Sequence, residues 1–234
     1  MSRTADQDSA ALASRYLEIL TSTDLGEIFQ EPHRYSGVFL AGFPDRFAES
    51  DFRILVVGKE TKKWRDRECE IRCNNPPVVE AVRSAMATQQ AYLRKAAGHV
   101  KFIQFVKQVE KAAAKHIPGS NPSVHWGNLF CLSHAGGSPT NSKAFHAVRE
   151  LSAQLLRAQI EFVDPDVILF TTGHVYDEYV HSCFPDRASS RVIKKRCLWE
   201  FRVGRARCYR TSHPRYVAHN HWRDEALRLA LSHV

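Results

Sequence analysis

Three residues of this chain combine a chemically useful side chain with a position that can present it: Glu60, Asn128 and His213. Each stands in or just after a short run that reads as a strand. Arg53-Ile54-Leu55-Val56-Val57-Gly58 precedes Glu60, His125 to Cys131 contains Asn128, and Arg207 to Thr211 leads into Ser212-His213-Pro214. A carboxylate can stabilise a cation or orient a water, an amide both donates and accepts, and an imidazole can donate to an oxygen that gathers charge. Gly173 and His174 follow one more such run, Asp166 to Thr172. Each has an ordinary alternative: Glu60 as a helix first-turn acid, Asn128 as a strand-end residue satisfying backbone, and His213-Pro214 as a plain turn.

These residues share an edge only if the runs that carry them are strands of one sheet. Arg53–Gly58, His125–Cys131 and Asp166–Thr172 read as buried strands, and Leu198–Val203 and Arg207–Thr211 as two more, joined through Gly204. Helical spacing predicts helices over about Ser9–Ile19, Val78–Ala97, Lys101–His116, Ala144–Phe162 and Trp222–Ser232. In the third of these, Phe102, Phe105, Val106 and Val109 fall on one face. Strands alternating with helices imply an α/β fold with a mainly parallel sheet covered on both faces. Ligands of such sheets bind beyond the carboxyl ends of the strands, which is where Glu60, Gly173, His174 and His213 would lie.

The 234 residues suit one domain spanning 1–234, with no repeat or composition break. No apolar run approaches the length of a membrane span, and Met1 to Ala10 is polar without a signal-peptide core, so a cytoplasmic protein with no membrane partner is expected. Six cysteines, at 69, 73, 131, 183, 197 and 208, are scattered as reduced thiols rather than a disulfide framework. Cys69 and Cys73 lack two further ligands nearby, and the pair His219 and His221 lacks a third, so no metal or other cofactor is expected. Thirty-three basic residues against 25 acidic ones give a net charge of +8, a balance suited to a polyanion. Lys59, Lys62, Lys63, Arg65 and Arg67 crowd the segment after the first strand. Arg205, Arg207, Arg210 and Arg215 surround the last motif, with Lys194, Lys195 and Arg196 nearby in sequence. Together they read as a phosphate-gripping rim, although a solvated charged face explains any one cluster.

The order of the motifs resembles the uracil-DNA glycosylase superfamily. Val57-Gly58-Lys59-Glu60-Thr61-Lys62 is similar to the family's first motif, Gly127-Asn128-Leu129-Phe130 to its base-reading strand, and Ser212-His213-Pro214-Arg215 to its late histidine motif. Pro165 to Gly173 resembles the strand before that last motif, and the likeness spans about Arg53 to Arg215. The resemblance implies a three-layer α/β/α sandwich around a central, mainly parallel four-stranded sheet. It implies a monomeric, monofunctional DNA glycosylase that flips a base, hydrolyses its N-glycosidic bond and needs no cofactor. Glu60 then stabilises the sugar cation and orients the water, while His213 donates to the leaving base. Asn128 reads the base edge, with Gly58, Lys59, Trp64 and His174 beside the base. Lys62, Lys63, Arg65, Arg210, Arg215 and Tyr216 meet DNA, with Arg215 or Tyr216 as the wedge in place of the family's leucine.

The chain departs from the family in the pocket. Thr61-Lys62 stands where the uracil enzymes have the Pro-Tyr that blocks thymine's methyl, and Arg215 replaces a small serine. A roomier pocket with extra cationic donors suits a base with a bulky polar substituent. Some members of the superfamily excise glucosylated hydroxymethylcytosine from phage DNA in antiviral defence, and the sequence is compatible with that group. Repair of uracil or another deaminated base is the near alternative, and a non-catalytic nucleic-acid-binding module the alternative of another class. Residues 65–77 read as a substrate-covering loop. No Gly-x-Ser-x-Gly, P-loop or metal cluster speaks for a hydrolase or nucleotide enzyme of another kind.

Overall fold

Runs of β-branched and large apolar residues form several of the strands, and the computed structural model orders six strands into one sheet. It describes residues 5–44, 47–64, 71, 77–95, 100–116 and 119–232. The strands are β1 (Phe52–Gly58), β2 (Pro122–Asn128), β3 (Val167–Phe170), β4 (Ala188–Lys194), β5 (Leu198–Val203) and β6 (Ala206–Arg210), in the spatial order β2-β1-β3-β6-β5-β4. The described helices are α1 (Ala5–Ser22), α2 (Leu25–Ile28), α3 (Val79–Lys95), α4 (Lys101–His116), α5 (Phe145–Val163), α6 (Asp177–Cys183) and α7 (Asn220–Leu231). None is long and apolar enough to cross a membrane. The chain divides into two compact units. One comprises Met1–Phe43, Lys59–Arg94 and Asn128–Phe162; the other comprises Pro44–Gly58, Lys95–Gly127 and Val163–Val234.

The second unit contains the sheet. β1 and β3 pair in parallel from Ile54↔Val167 to Val57↔Phe170, and β3 and β6 from Val167↔Arg207 to Phe170↔Arg210. All four residues of β3 are buried, as expected of a parallel strand covered on both faces. The ladder continues past the strands: Thr171 N donates to Val57 O (2.8 Å), Thr211 N to Phe170 O (2.8 Å) and Gly173 N to Thr211 O (2.9 Å). Gly58, Gly173 and Ser212-His213 therefore leave the sheet at one edge. β6 and β5 form an antiparallel hairpin that closes through Gly204, whose φ of 55° a side chain would strain. Helix α7 lies against β6, tied by Tyr209 Oη to Leu229 O (3.4 Å) and Arg207 Nη2 to Ala230 O (3.0 Å). Burial pushes His125, on β2, down to about 3, so it is a neutral core histidine beside Ser123 (3.0 Å).

The fold is α/β, but the sheet is mixed and has six strands rather than four. Five of the six match segments read as strands in the sequence; the sixth, β4, is exposed along almost its whole length and carries no apolar alternation. It forms by backbone pairing to β5, which hydropathy does not record. β2 also lies three residues earlier than the apolar run suggests: it opens on Pro122, a tolerated first residue at a sheet edge, and ends at Asn128.

In the first unit, α1 buries Leu12, Ala13, Tyr16, Ile19 and Leu20, the stripe of a two-turn repeat. Helix α3 clamps the extended segment near Gly42: Gly42 N donates to Gln89 Oε1 (3.1 Å) and Gln90 Nε2 to Gly42 O (2.9 Å). A Cβ at Gly42 would stand 3.1 Å from Met86 O, so the glycine permits the close approach.

Candidate functional site

Glu60 opens the segment that follows β1, and the first unit fixes that segment from both sides. Phe130 N donates to Lys59 O (2.8 Å), joining the residues after Gly58 to those after Asn128. Lys63, at φ 51°, receives support through its N–H to Ser133 Oγ (3.3 Å), and Gly37 N donates to Trp64 O (2.8 Å). The Glu60 carboxyl is largely buried, and its Oε2 has no hydrogen-bond partner among the described residues. Burial raises the Glu60 pKa above the usual carboxylate range, against the opposing pull of Lys59 and then Lys62. Lys59, half-buried, is itself shifted down by desolvation, partly offset by Glu60. The Thr61 hydroxyl is likewise buried without a partner among the described residues. A buried carboxylate with an open oxygen, kept ionisable by two lysines, can receive a water proton or face a developing cation.

Asn128 is buried at the end of β2. Trp64 is a core residue of the first unit, packed edge-on to Phe39 (5.5 Å, 63°) and Tyr92 (5.3 Å, 79°). Lys62 and Lys63 are exposed. Arg65, Arg67, Cys69 and Cys73, and most of the loop 65–77, lie outside the described residues. Burial pushes the Cys131 thiol up to about 12, which leaves it inert as a nucleophile at neutral pH.

The second unit carries the edge beyond β1, β3 and β6. Gly58 ends β1 buried, and Gly173, at φ 78°, turns the chain into the short helical turn His174–Tyr176 with His174 exposed. The His213 ring stacks against Phe102 (6.3 Å, 23°), and its Nδ1 accepts from Arg215 N at 3.2 Å. In the neutral ring this assigns the proton to Nε2, which becomes the donor. Arg223, 4% exposed, clamps the turn that carries His213: Nη1 donates to Ser212 Oγ (2.9 Å), His213 O (3.2 Å) and Tyr216 O (3.0 Å), and Nη2 to Asn220 Oδ1. Arg215 and Tyr216 are exposed, and the Tyr216 ring meets His219 edge-on at 4.6 Å.

Two basic residues read as phosphate contacts have other work. Arg210 is 3% exposed and spent on Asp177, with Nη2 to Oδ2 at 2.8 Å and Nε to Oδ1 at 2.7 Å, while Nη1 donates to Arg196 O (3.2 Å). It therefore cannot reach a phosphate. Arg205 lies in the β5–β6 turn, at the opposite edge from His213, and binds Asp164 and Asp166 (2.7 Å each). Among the described residues no three His, Cys, Asp or Glu side chains converge on a metal-sized point. His219 instead lies with Nε2 3.9 Å from Cys197 Sγ.

Arg223 is the residue the motifs do not reveal. Its signal was a charge on the apolar stripe Arg223, Ala226, Leu227, Ala230, whose i, i+3, i+4, i+7 spacing turns it inward. Asp177, 33 residues before Arg210, has no comparable mark in the sequence. No family model matches the chain, and no curated protein matches it.

Proposed function

We propose that the chain is a monofunctional DNA glycosylase of the uracil-DNA glycosylase type, with its three-layer α/β/α plan, acting on a base with a bulky polar substituent such as glucosylated hydroxymethylcytosine. The observation that carries the reading is Glu60: a part-buried carboxyl whose Oε2 is out of water with no partner among the described residues, two residues after a parallel strand, beside Lys59 and Lys62. A buried carboxylate without a partner is costly to a fold, so its presence argues for a use. In the proposed reaction the C1′–N bond breaks and its electron pair leaves with the base. The Glu60 carboxylate offsets the positive charge left on the sugar. Water adds to C1′, and its proton passes to Glu60. His213 Nε2–H donates to the base oxygen on which negative charge grows, and Asn128 reads the base edge. The tautomer set by Arg215 N supports that donor role. Thr61-Lys62, in place of a blocking aromatic ring, supports the larger substrate. Antiviral defence is the proposed setting, in the cytoplasm, with DNA as the partner of a monomer.

The test is base release from duplexes containing uracil, mismatched thymine, hydroxymethylcytosine or glucosylated hydroxymethylcytosine, scored by alkaline cleavage at abasic sites. Release of the glucosylated base is expected, with His213→Ala slowing it roughly a hundred- to a thousandfold, the usual loss for one charge-stabilising donor. Losses in Glu60→Gln and His213→Ala that fail to add in the double variant mark a shared substrate. Release of uracil alone would move the reading to repair. No release from any duplex, with DNA binding retained, would replace the enzyme with a binding module.

A further inference from the structure

One group of basic residues outside the proposed base site gathers on the hairpin of β4 and β5. From Arg187 to Arg207 the chain carries eight basic residues and one acidic residue, Glu200. Glu200 is already engaged, accepting from Arg191 Nε (2.9 Å) and Nη2 (2.6 Å). Arg205 is spent on Asp164 and Asp166 at the far edge. Arg187 and Arg207 donate to Phe184 O (3.0 Å) and Ala230 O (3.0 Å) and Arg202 stands alone on β5, whereas the tip, Lys194-Lys195-Arg196, sets three consecutive exposed cations side by side with no ion pair among the described residues.

The tip is held in place and pointed. Trp199 pairs with Arg210, so the turn before β5 projects past the edge at which β6 runs into Ser212-His213. The buried Arg210, braced by Asp177, donates to Arg196 O (3.2 Å). Arg196 adopts φ 63°, Cys197 N closes the turn on Lys194 O (3.0 Å), and Lys194 Nζ stands 6.0 Å from the centroid of the Trp222 ring. A buried arginine that organises a run of exposed cations makes a platform rather than a frayed loop.

Two occupants suit such an element: another strand on the open edge of β4, or a polyanion at the tip. The strand is disfavoured. β4 carries Arg191 and Lys194, and its pairing with β5 is irregular at two places, both of which blunt an edge against added strands. The charge favours the polyanion. We infer that Lys194, Lys195 and Arg196 form a sequence-independent grip on the phosphate backbone of DNA, separate from the residues that handle the base. The inference rests on the proposed function for its choice of DNA as the polyanion.

Fluorescence anisotropy with a labelled duplex of ordinary sequence, read across a salt series with the full chain, tests it. Each phosphate contact contributes about 0.9 to the slope of log affinity against log salt. Lys194→Ala/Lys195→Ala/Arg196→Ala should flatten that slope by roughly 2–3. The charge-matched Lys107→Ala/Lys111→Ala/Lys115→Ala, on exposed positions of α4, should leave it nearly unchanged. If the triple variant fails to fold, Lys194→Glu/Lys195→Glu serves, with a larger loss expected. An unchanged slope overturns the inference, as does an equal loss in the α4 variant, which would show net charge alone. A change in oligomeric mass without a change in slope also overturns it, in favour of the strand edge. A wild-type chain that releases no base yet loses salt dependence in the tip variant would sink the glycosylase and leave the grip standing.

Discussion

Glu60 has an oxygen out of water and without a partner among the described residues, so its ionisation at neutral pH works against the fold. Because its pKa is raised on folding, the folded chain holds a proton where the unfolded chain has released it. The stability this gives is complete below about pH 4.5, the ordinary value, and is lost as pH rises through the folded pKa. Glu60→Gln removes the cost of the ionised form. Calorimetry should therefore find its melting temperature above that of wild type at pH 7.5, with the difference gone at pH 4. Base release should fall in the same variant, and in the wild type it should rise with pH to a plateau above the shifted Glu60 pKa. A substitution that stabilises while it inactivates is the mark of a residue kept for chemistry. A lower melting temperature at pH 7.5 would mean that the carboxylate is a satisfied structural group, and the catalytic role would fall.

At the scale of elements, α7 does more than cover the sheet, since its Arg223 ties the strand end to the turn that presents His213. Arg223→Met leaves the buried Ser212 Oγ and the part-buried carbonyl oxygens of His213 and Tyr216 without their donor, at a cost of about 1–3 kcal/mol. If Arg223 positions the histidine, nitrogen NMR should show the His213 ring losing its Nε2–H tautomer, and kcat should drop while KM changes little. A purely structural arginine would lower the melting temperature and leave the tautomer alone. Gly173→Ala should act on the same edge. The space there is open, but φ 78° is unfavourable for alanine, so about 1 kcal/mol of strain is expected in urea unfolding. Elements with strong periodicity were legible in the sequence: α4 runs over Lys101–His116 as its spacing predicts, because Phe102, Phe105, Val106 and Val109 all face the core. β4 was not legible, because a strand exposed on both faces has no hydropathy signature. The site divides in the same way. Glu60 and His213 followed recognisable strands, whereas Arg210 was misread because its partner Asp177 is joined to it only by the fold.

Across the whole molecule, the net charge of +8 overstates what is available to a polyanion. Arg205 and Arg210 are neutralised by Asp164, Asp166 and Asp177, and Arg223 is buried among backbone and side-chain oxygens. Lys63, Lys194, Lys195, Arg196 and Arg215 are exposed and have no ion pair among the described residues. If these five alone met phosphates, the salt slope would be about −4 to −5; counting every lysine and arginine would make it several times steeper. Arg205→Ala separates the two cases. It removes one formal charge, yet the cation was already paired at the edge away from His213, so DNA affinity and its salt slope should match wild type. Its effect should appear in stability instead, and only as about 0–1 kcal/mol, because the pairs with Asp164 and Asp166 are exposed to solvent. A slope that flattens by about 0.9 in Arg205→Ala would show that DNA reaches the far edge. The binding face would then have to wrap the β5–β6 turn rather than end at the strand carboxyl edge.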